Sequence, residues 1–233
     1  MNQTTSPGRH FQAGIDDLKR ELATQGTTVA ERLARAVRGL GTRDIHALDE
    51  VAIGDADVNA RQMAIDDRAF KLLALQQPVA VDLRIIVAAI KVNADLERVG
   101  DLAVNIAESS RRYLEYGAVP QQELIPRMAD AAQAMLQWAL EAFVHGNVGL
   151  AQSVLERDDA LDTLRDQAFR RLADAMARNP ACMSSVLELM LVARHLERIG
   201  DHATNIAEDV FFVVAGEDVR HHAYGAASGA ATS

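Results

Sequence analysis

Two carboxylate pairs at helical spacing, Glu97 with Asp101 and Glu197 with Asp201, are the residues of this chain best placed to do chemistry. Each pair is followed four residues later by an asparagine, Asn105 or Asn205, inside a repeated stretch: Leu96 to Glu108 (LERVGDLAVNIAE) and Leu196 to Glu208 (LERIGDHATNIAE) agree at ten of thirteen positions. Average composition alone would match about one position. At 100° per residue, Glu97, Asp101, Asn105 and Glu108 fall within about 80° of one another, opposite Leu96, Val99, Ala103 and Ile106. A polar stripe on the outward side of an amphipathic helix follows.

Like charges at i and i+4 cost an isolated helix a few tenths of a kcal/mol. A solvated face has no need to keep that pairing, with the same asparagine, in two places. A hard or borderline cation bridging the carboxylates would offset the repulsion through oxygen ligands. One helix cannot fill a coordination sphere, so neighbouring helices must contribute. The segment ERDDALD supplies Asp158 and Asp162 at the same spacing, and GDADVN supplies Asp55 and Asn59. The second site then holds Asp158, Asp162, Glu197 and Asp201. The first holds Asp55, Asn59, Glu97 and Asp101, and is expected to bind more weakly because Asn59 is neutral.

Gly100 and Gly200 lie inside the repeated helices, where glycine costs about 1 kcal/mol relative to alanine. Close packing of helices or room for an ion beside the stripe would justify them. Other chemistries fail on spacing. No Glu is followed three residues later by His, as a ferritin-type di-iron site requires. Cys182, the single cysteine, joins no zinc spacing with His195, His202, His221 or His222. P-loop, dinucleotide-binding and nucleophile-elbow motifs are absent from the sequence.

The elements that position these residues are helices. Aromatic residues make up 4% of the chain, and Ala, Leu, Glu and Arg are abundant, which favours an all-α fold. Apolar residues at Ile15, Leu18, Leu22, Val29, Leu33, Val37 and Leu40 predict a first helix from Phe11 to the glycines at 39 and 41. A second helix is expected from Asp44 to Gln77, ended by Pro78, and a third of nearly forty residues from Pro78 to Tyr116. The order then repeats over 124–144, 149–178 and 183–214. The expected architecture is two tandem three-helix bundles of six long helices related by a pseudo-twofold repeat, spanning 11–117 and 120–215. The short linker is taken to set them end to end, and residues 1–10 and 225–233 are expected to be disordered tails.

A net charge of −9 would repel a nucleic-acid backbone, and no apolar run reaches the roughly 18 residues of a membrane span. With one cysteine and no secretory leader pattern, a cytoplasmic location is expected, any membrane contact passing through a partner.

Taken together, the paired motifs, the segment QQPVAVDLR (Gln76 to Arg84) and FFVVAGEDVRH (Phe211 to His221) resemble the PhoU family of phosphate-signalling proteins over nearly the whole folded chain. The resemblance implies a negative regulator of the phosphate-starvation response that links the ATPase subunit of a phosphate ABC transporter to a sensor histidine kinase. It implies no enzymatic activity. It also implies metal clusters of iron, zinc, manganese or magnesium on (Glu/Asp)-x-x-x-Asp motifs, which fall here on Glu97/Asp101, Asp158/Asp162 and Glu197/Asp201; Asp55/Asn59 departs from the pattern. A homodimer is expected from the elongated, Ala-rich bundles. The alternatives are a carboxylate-bridged metalloenzyme and a purely structural helical scaffold.

Overall fold

The computed structural model describes residues 7–53, 56–76, 78, 80–119 and 123–216. Among these the chain is all-helical: α1 (Pro7–Thr42), α2 (Ile45–Ala52), α3 (Ala56–Gln76), α4 (Ala80–Glu115), α5 (Leu124–His145), α6 (Val148–Arg178) and α7 (Met183–Ala215), with a 3-10 turn at Pro180–Cys182 before α7. The first helix starts at Pro7, four residues ahead of its expected beginning, so residues 7–10 are helical and not part of a tail. The other residues of the expected tails lie outside the described residues.

The expected second helix is two helices. Asp44 caps α2 by accepting from Ala47 N at 3.1 Å, but α2 ends at Ala52 and α3 restarts at Ala56. The sequence between Ala52 and Ala56 includes a glycine at 54, and glycine inside a helix costs about 1 kcal/mol relative to alanine. The same place in the second repeat is Arg157, a good helix former, and α6 runs through it unbroken. The end of α5 is set by Gly146, whose φ of 65° closes the helix in the left-handed region. Asn147 then caps α6 on Leu150 N at 3.1 Å.

Within each repeat the long helices bury one apolar face. Leu18, Leu22 and Leu33 of α1, Leu96 and Ile106 of α4, Leu136 of α5, Leu161 of α6 and Leu189 and Leu196 of α7 are all at most 1% exposed. These side chains belong to one continuous core that runs through both repeats. The repeats therefore lie side by side and not end to end. The most extensive packing in the molecule is α4 against α7, and α1 also packs on α5.

The α4–α7 seam is antiparallel. Arg84 Nε donates to Val213 O (3.3 Å), Lys91 pairs with Asp209, Asp95 meets His202 and Asn205, and Arg112 Nε donates to Glu188 Oε1 (2.9 Å). Residue numbers in each of these pairs add to 297–300. The repeat offsets equivalent residues by 100, so register and repeat coincide at Gly100 and Gly200. The two acidic motifs thus lie at one level, astride the pseudo-twofold axis.

Candidate functional site

At the second acidic site, α7 supplies Glu197 and Asp201 and α6 supplies Asp158 and Asp162. The two helices approach closely because position 200 has no side chain. A Cβ there would stand 2.4 Å from Leu161 Cδ2 and 3.7 Å from Asp158 Oδ1. Close packing is the reason for this glycine. Asp201 faces solvent, Asp158 and Asp162 are half-buried, and only 17% of the Glu197 side chain is exposed. The site is a lip between two helices, more enclosed than an outward stripe would be.

Gathering four carboxylates here has an electrostatic cost. Burial, then the charges of Asp162, Asp201, Asp159 and Glu197, push the Asp158 carboxyl up to about 6. Burial and Asp162 raise Asp201, with His202, Arg165 and Arg198 acting against them. Burial and Asp201 raise Glu197, held back by its hydrogen bond from Arg165.

Arg165 answers that charge. One guanidinium nitrogen forms an ion pair with Glu197 and also lies 3.3 Å from Asp162 Oδ1, while the other terminal nitrogen donates to Asp166 Oδ1 at 3.0 Å. Its side chain is only 26% exposed. Burial disfavours the charged form of Arg165, but Asp166, Asp162 and Glu197 outweigh it and raise its pKa.

The first acidic site is different in composition and in what the structure places. Asp101 is exposed on α4, and Glu97 is partly covered, with Arg98 Nε 3.5 Å from its carboxylate. Asn59 is exposed on α3, and Asp55 lies outside the described residues. The offset of 103 that relates Asp55 and Asn59 to Asp158 and Asp162 sets Gln62 where the second repeat has Arg165. The carbonyl of Gln62 accepts from Asn93 Nδ2 at 3.0 Å, and the same amide donates to Asp66 Oδ1 at 2.9 Å. Among the described residues, a Cβ on Gly100 would meet only Val29 Cγ2, at 3.9 Å. The close-packing reason found at Gly200 is not repeated there.

The donor set at the second site consists of carboxylate oxygens under mutual repulsion, the chemistry that suits a hard or borderline cation. Yet among the described residues no group of three His, Cys, Asp or Glu stands ready to hold a metal ion. At this site one Arg165 nitrogen contacts two of the four carboxylates, Glu197 and Asp162. The position of Arg165 is legible in the sequence: residues 158, 162 and 165 share one helical face at i, i+4 and i+7. The seam residues Lys91, Asp95 and Asp209 are not legible in that way, because their pairing needs the α4–α7 register. His202, at the flank of the acidic stripe, reaches across that seam with Nδ1 2.8 Å from Asp95 Oδ1.

Two repeats built from long helices, with one acidic motif on the last helix of each, define a duplicated helical-bundle protein. The PhoU domain profile matches it twice, over residues 22–110 and 125–210. The chain belongs to the PhoU family. It is 36% identical over 214 residues to the phosphate-specific transport system accessory protein PhoU homolog of Pseudomonas aeruginosa, covering 91% of this chain and 88% of that one. It is 30% identical over 211 residues to the phosphate-specific transport system accessory protein PhoU of Escherichia coli, covering 91% and 88%. The crystal structure of PhoU from Pseudomonas aeruginosa superposes with a TM-score of 0.85 at 35% identity, over 89% of this chain and all of that one. The phosphate transport system regulatory protein PhoU of Streptococcus pneumoniae gives 0.84 at 25% identity, over 90% and 99%. Among the described residues no helix is long and apolar enough to cross a membrane.

Proposed function

We propose that the protein is a cytoplasmic accessory regulator of phosphate uptake, which represses the phosphate-starvation response by coupling the ATPase subunit of a phosphate ABC transporter to a sensor histidine kinase. The observation that carries this reading is family membership over both repeats, with relatives named as accessory and regulatory proteins of phosphate transport. Its two repeats, 11–117 and 120–215, act as one rigid adaptor, since a single core runs through them. Exposed apolar side chains support docking to proteins: Met183, Leu187 and Leu191 recur every four residues along α7, each 40–50% exposed. Assembly as a homodimer is part of the proposal.

The acidic sites are read as cation sites, the metal being iron, zinc, manganese or magnesium. Glu197, Asp201, Asp158 and Asp162 would hold it in the second repeat, and Glu97, Asp101, Asp55 and Asn59 in the first. A bound ion would supply positive charge that cancels carboxylate repulsion and fixes the facing helices. The role is tested by deleting the gene and measuring phosphate-responsive transcription in phosphate-rich medium. Constitutive expression, reversed by the wild-type chain, is expected; normal repression in the deletion strain overturns the regulatory reading.

A further inference from the structure

The acidic site of the second repeat already contains a cation. Four carboxylates meet there, two from α6 and two from α7, and Arg165 of α6 pairs with one from each helix. Arg165 follows Asp162 by three residues and Asp158 by seven, so the turn of α6 that presents the acids also presents the guanidinium. One of its nitrogens contacts both Glu197 of α7 and Asp162 of α6, so it joins a carboxylate from each helix. The anchor is substantial, since Arg165 and Glu197 are 26% and 17% exposed. In the first repeat the equivalent of Arg165 is Gln62, which carries no charge.

We propose that Arg165 is a built-in counter-cation of the second acidic site, which a metal ion must displace, so that the two repeats take up cations differently. This rests on the cation-binding reading above and deepens it. Counting charges alone ranks the second site higher, because it has a fourth carboxylate where the first has Asn59. Arg165 opposes that ranking: it offsets one of those charges and occupies Glu197 and Asp162, two of the four donors. Displacement would turn a guanidinium outward beside Asp166 on the exposed side of α6, so ion occupancy changes the charged surface that a partner meets. The side chain has a second carboxylate, Asp166, to hold it in that outward position, 3.0 Å from its other terminal nitrogen.

The test uses the full chain, freed of metal by chelator, in two arms. In the metal-free arm, Arg165→Gln leaves the carboxylates without their counter-ion and melts about 4 °C below wild type. That deficit shrinks between about 0.02 M and about 0.5 M NaCl, because screening weakens the repulsion. A variant that melts with wild type at low salt overturns the counter-cation role.

In the metal arm, the first site is silenced by Glu97→Gln and Asp101→Asn, and Mn2+ and Zn2+ binding is measured by calorimetry with and without Arg165→Gln. At least about tenfold tighter binding is expected once Arg165 is gone, and adding Glu197→Gln and Asp201→Asn abolishes the gain. Equal affinity with and without Arg165 overturns the competition. Binding by none of the proteins, including the chain with both sites intact, overturns the cation reading itself; the metal-free arm tells the two failures apart, because it needs no metal.

Discussion

Lys91 of α4 and Asp209 of α7 form an ion pair across the seam between the repeats, and the Asp209 carboxylate keeps only 3% of its exposure. The ammonium also stands over the Phe212 ring, 5.9 Å from its centroid. A carboxylate taken so far from water depends on its partners, and removing one partner of a covered pair costs far more than removing one of an exposed pair. Lys91→Ala is expected to cost about 2 kcal/mol, a value reduced from the fully buried case because Lys91 itself is 35% exposed. Lys71→Ala is the control: its pair with Asp67 is exposed on both sides, and its loss costs under about 1 kcal/mol. Denaturant unfolding of the two variants checks the difference.

Equivalent glycines of the repeat should respond oppositely to alanine. At position 200 a methyl group meets Leu161 Cδ2 at 2.4 Å, and Leu161 is itself 1% exposed and cannot move aside freely. Overpacking of this kind costs about 1–3 kcal/mol, more than the helix-propensity gain of up to about 1 kcal/mol. Position 100 has no such contact among the described residues, so there the propensity gain remains. Gly200→Ala lowers the melting temperature and Gly100→Ala leaves it equal or higher. Matching losses at both positions would show that the two helix crossings are equally tight.

The parts of the fold that depend on short-range pattern were legible in the sequence. Apolar spacing locates the long helices, and the thirteen-residue repeat locates the acidic stripe. The rest depended on long-range packing. The break between α2 and α3 has no counterpart in α6, which runs unbroken through Arg157, and a periodic pattern read over thirty residues does not register that difference. The side-by-side arrangement followed from α4 and α7 sharing apolar faces, which no linker length reveals. At the site, the spacing of Asp158 and Asp162 is legible in the sequence, whereas the pairing of Arg165 with Glu197 depends on how α6 packs on α7.

The carboxylate cluster should leave a mark on the pH dependence of stability. Asp158 is pushed up to about 6 by burial and neighbouring charge, against 3.8 for the free group. Between those two values the folded chain keeps this proton while the unfolded chain has lost it, so stability falls as pH rises through the window. In chelator-containing buffer, Asp158→Asn is expected to flatten the profile between pH 4 and pH 6. At neutral pH it gains about 1 kcal/mol, a figure discounted for the half-exposed position of the group. Melting temperatures across that range, wild type against variant, decide it. A variant less stable than wild type at pH 7 without metal would mean that the charge of Asp158 is better compensated than its neighbours imply.

The opposite limb of the profile belongs to His195 on α7. Burial comes first in lowering its pKa, and the positive charges of Arg198, Arg194 and Arg112 add to it. Its Nδ1 atom is covered and has no hydrogen-bond partner among the described residues, so a proton added there gains no acceptor. Above the ordinary imidazole value of 6.5 the ring is neutral in both states and contributes nothing. As pH falls below 6.5 the unfolded chain takes up the proton first, and stability is lost. His195→Gln removes the titration and keeps a polar side chain, so the variant should lose less stability than wild type from pH 7 to pH 5, by about 1 kcal/mol after allowance for partial exposure. NMR titration of the His195 ring in the folded protein checks the premise directly: a midpoint at or above 6.5 would remove the basis for the acid limb.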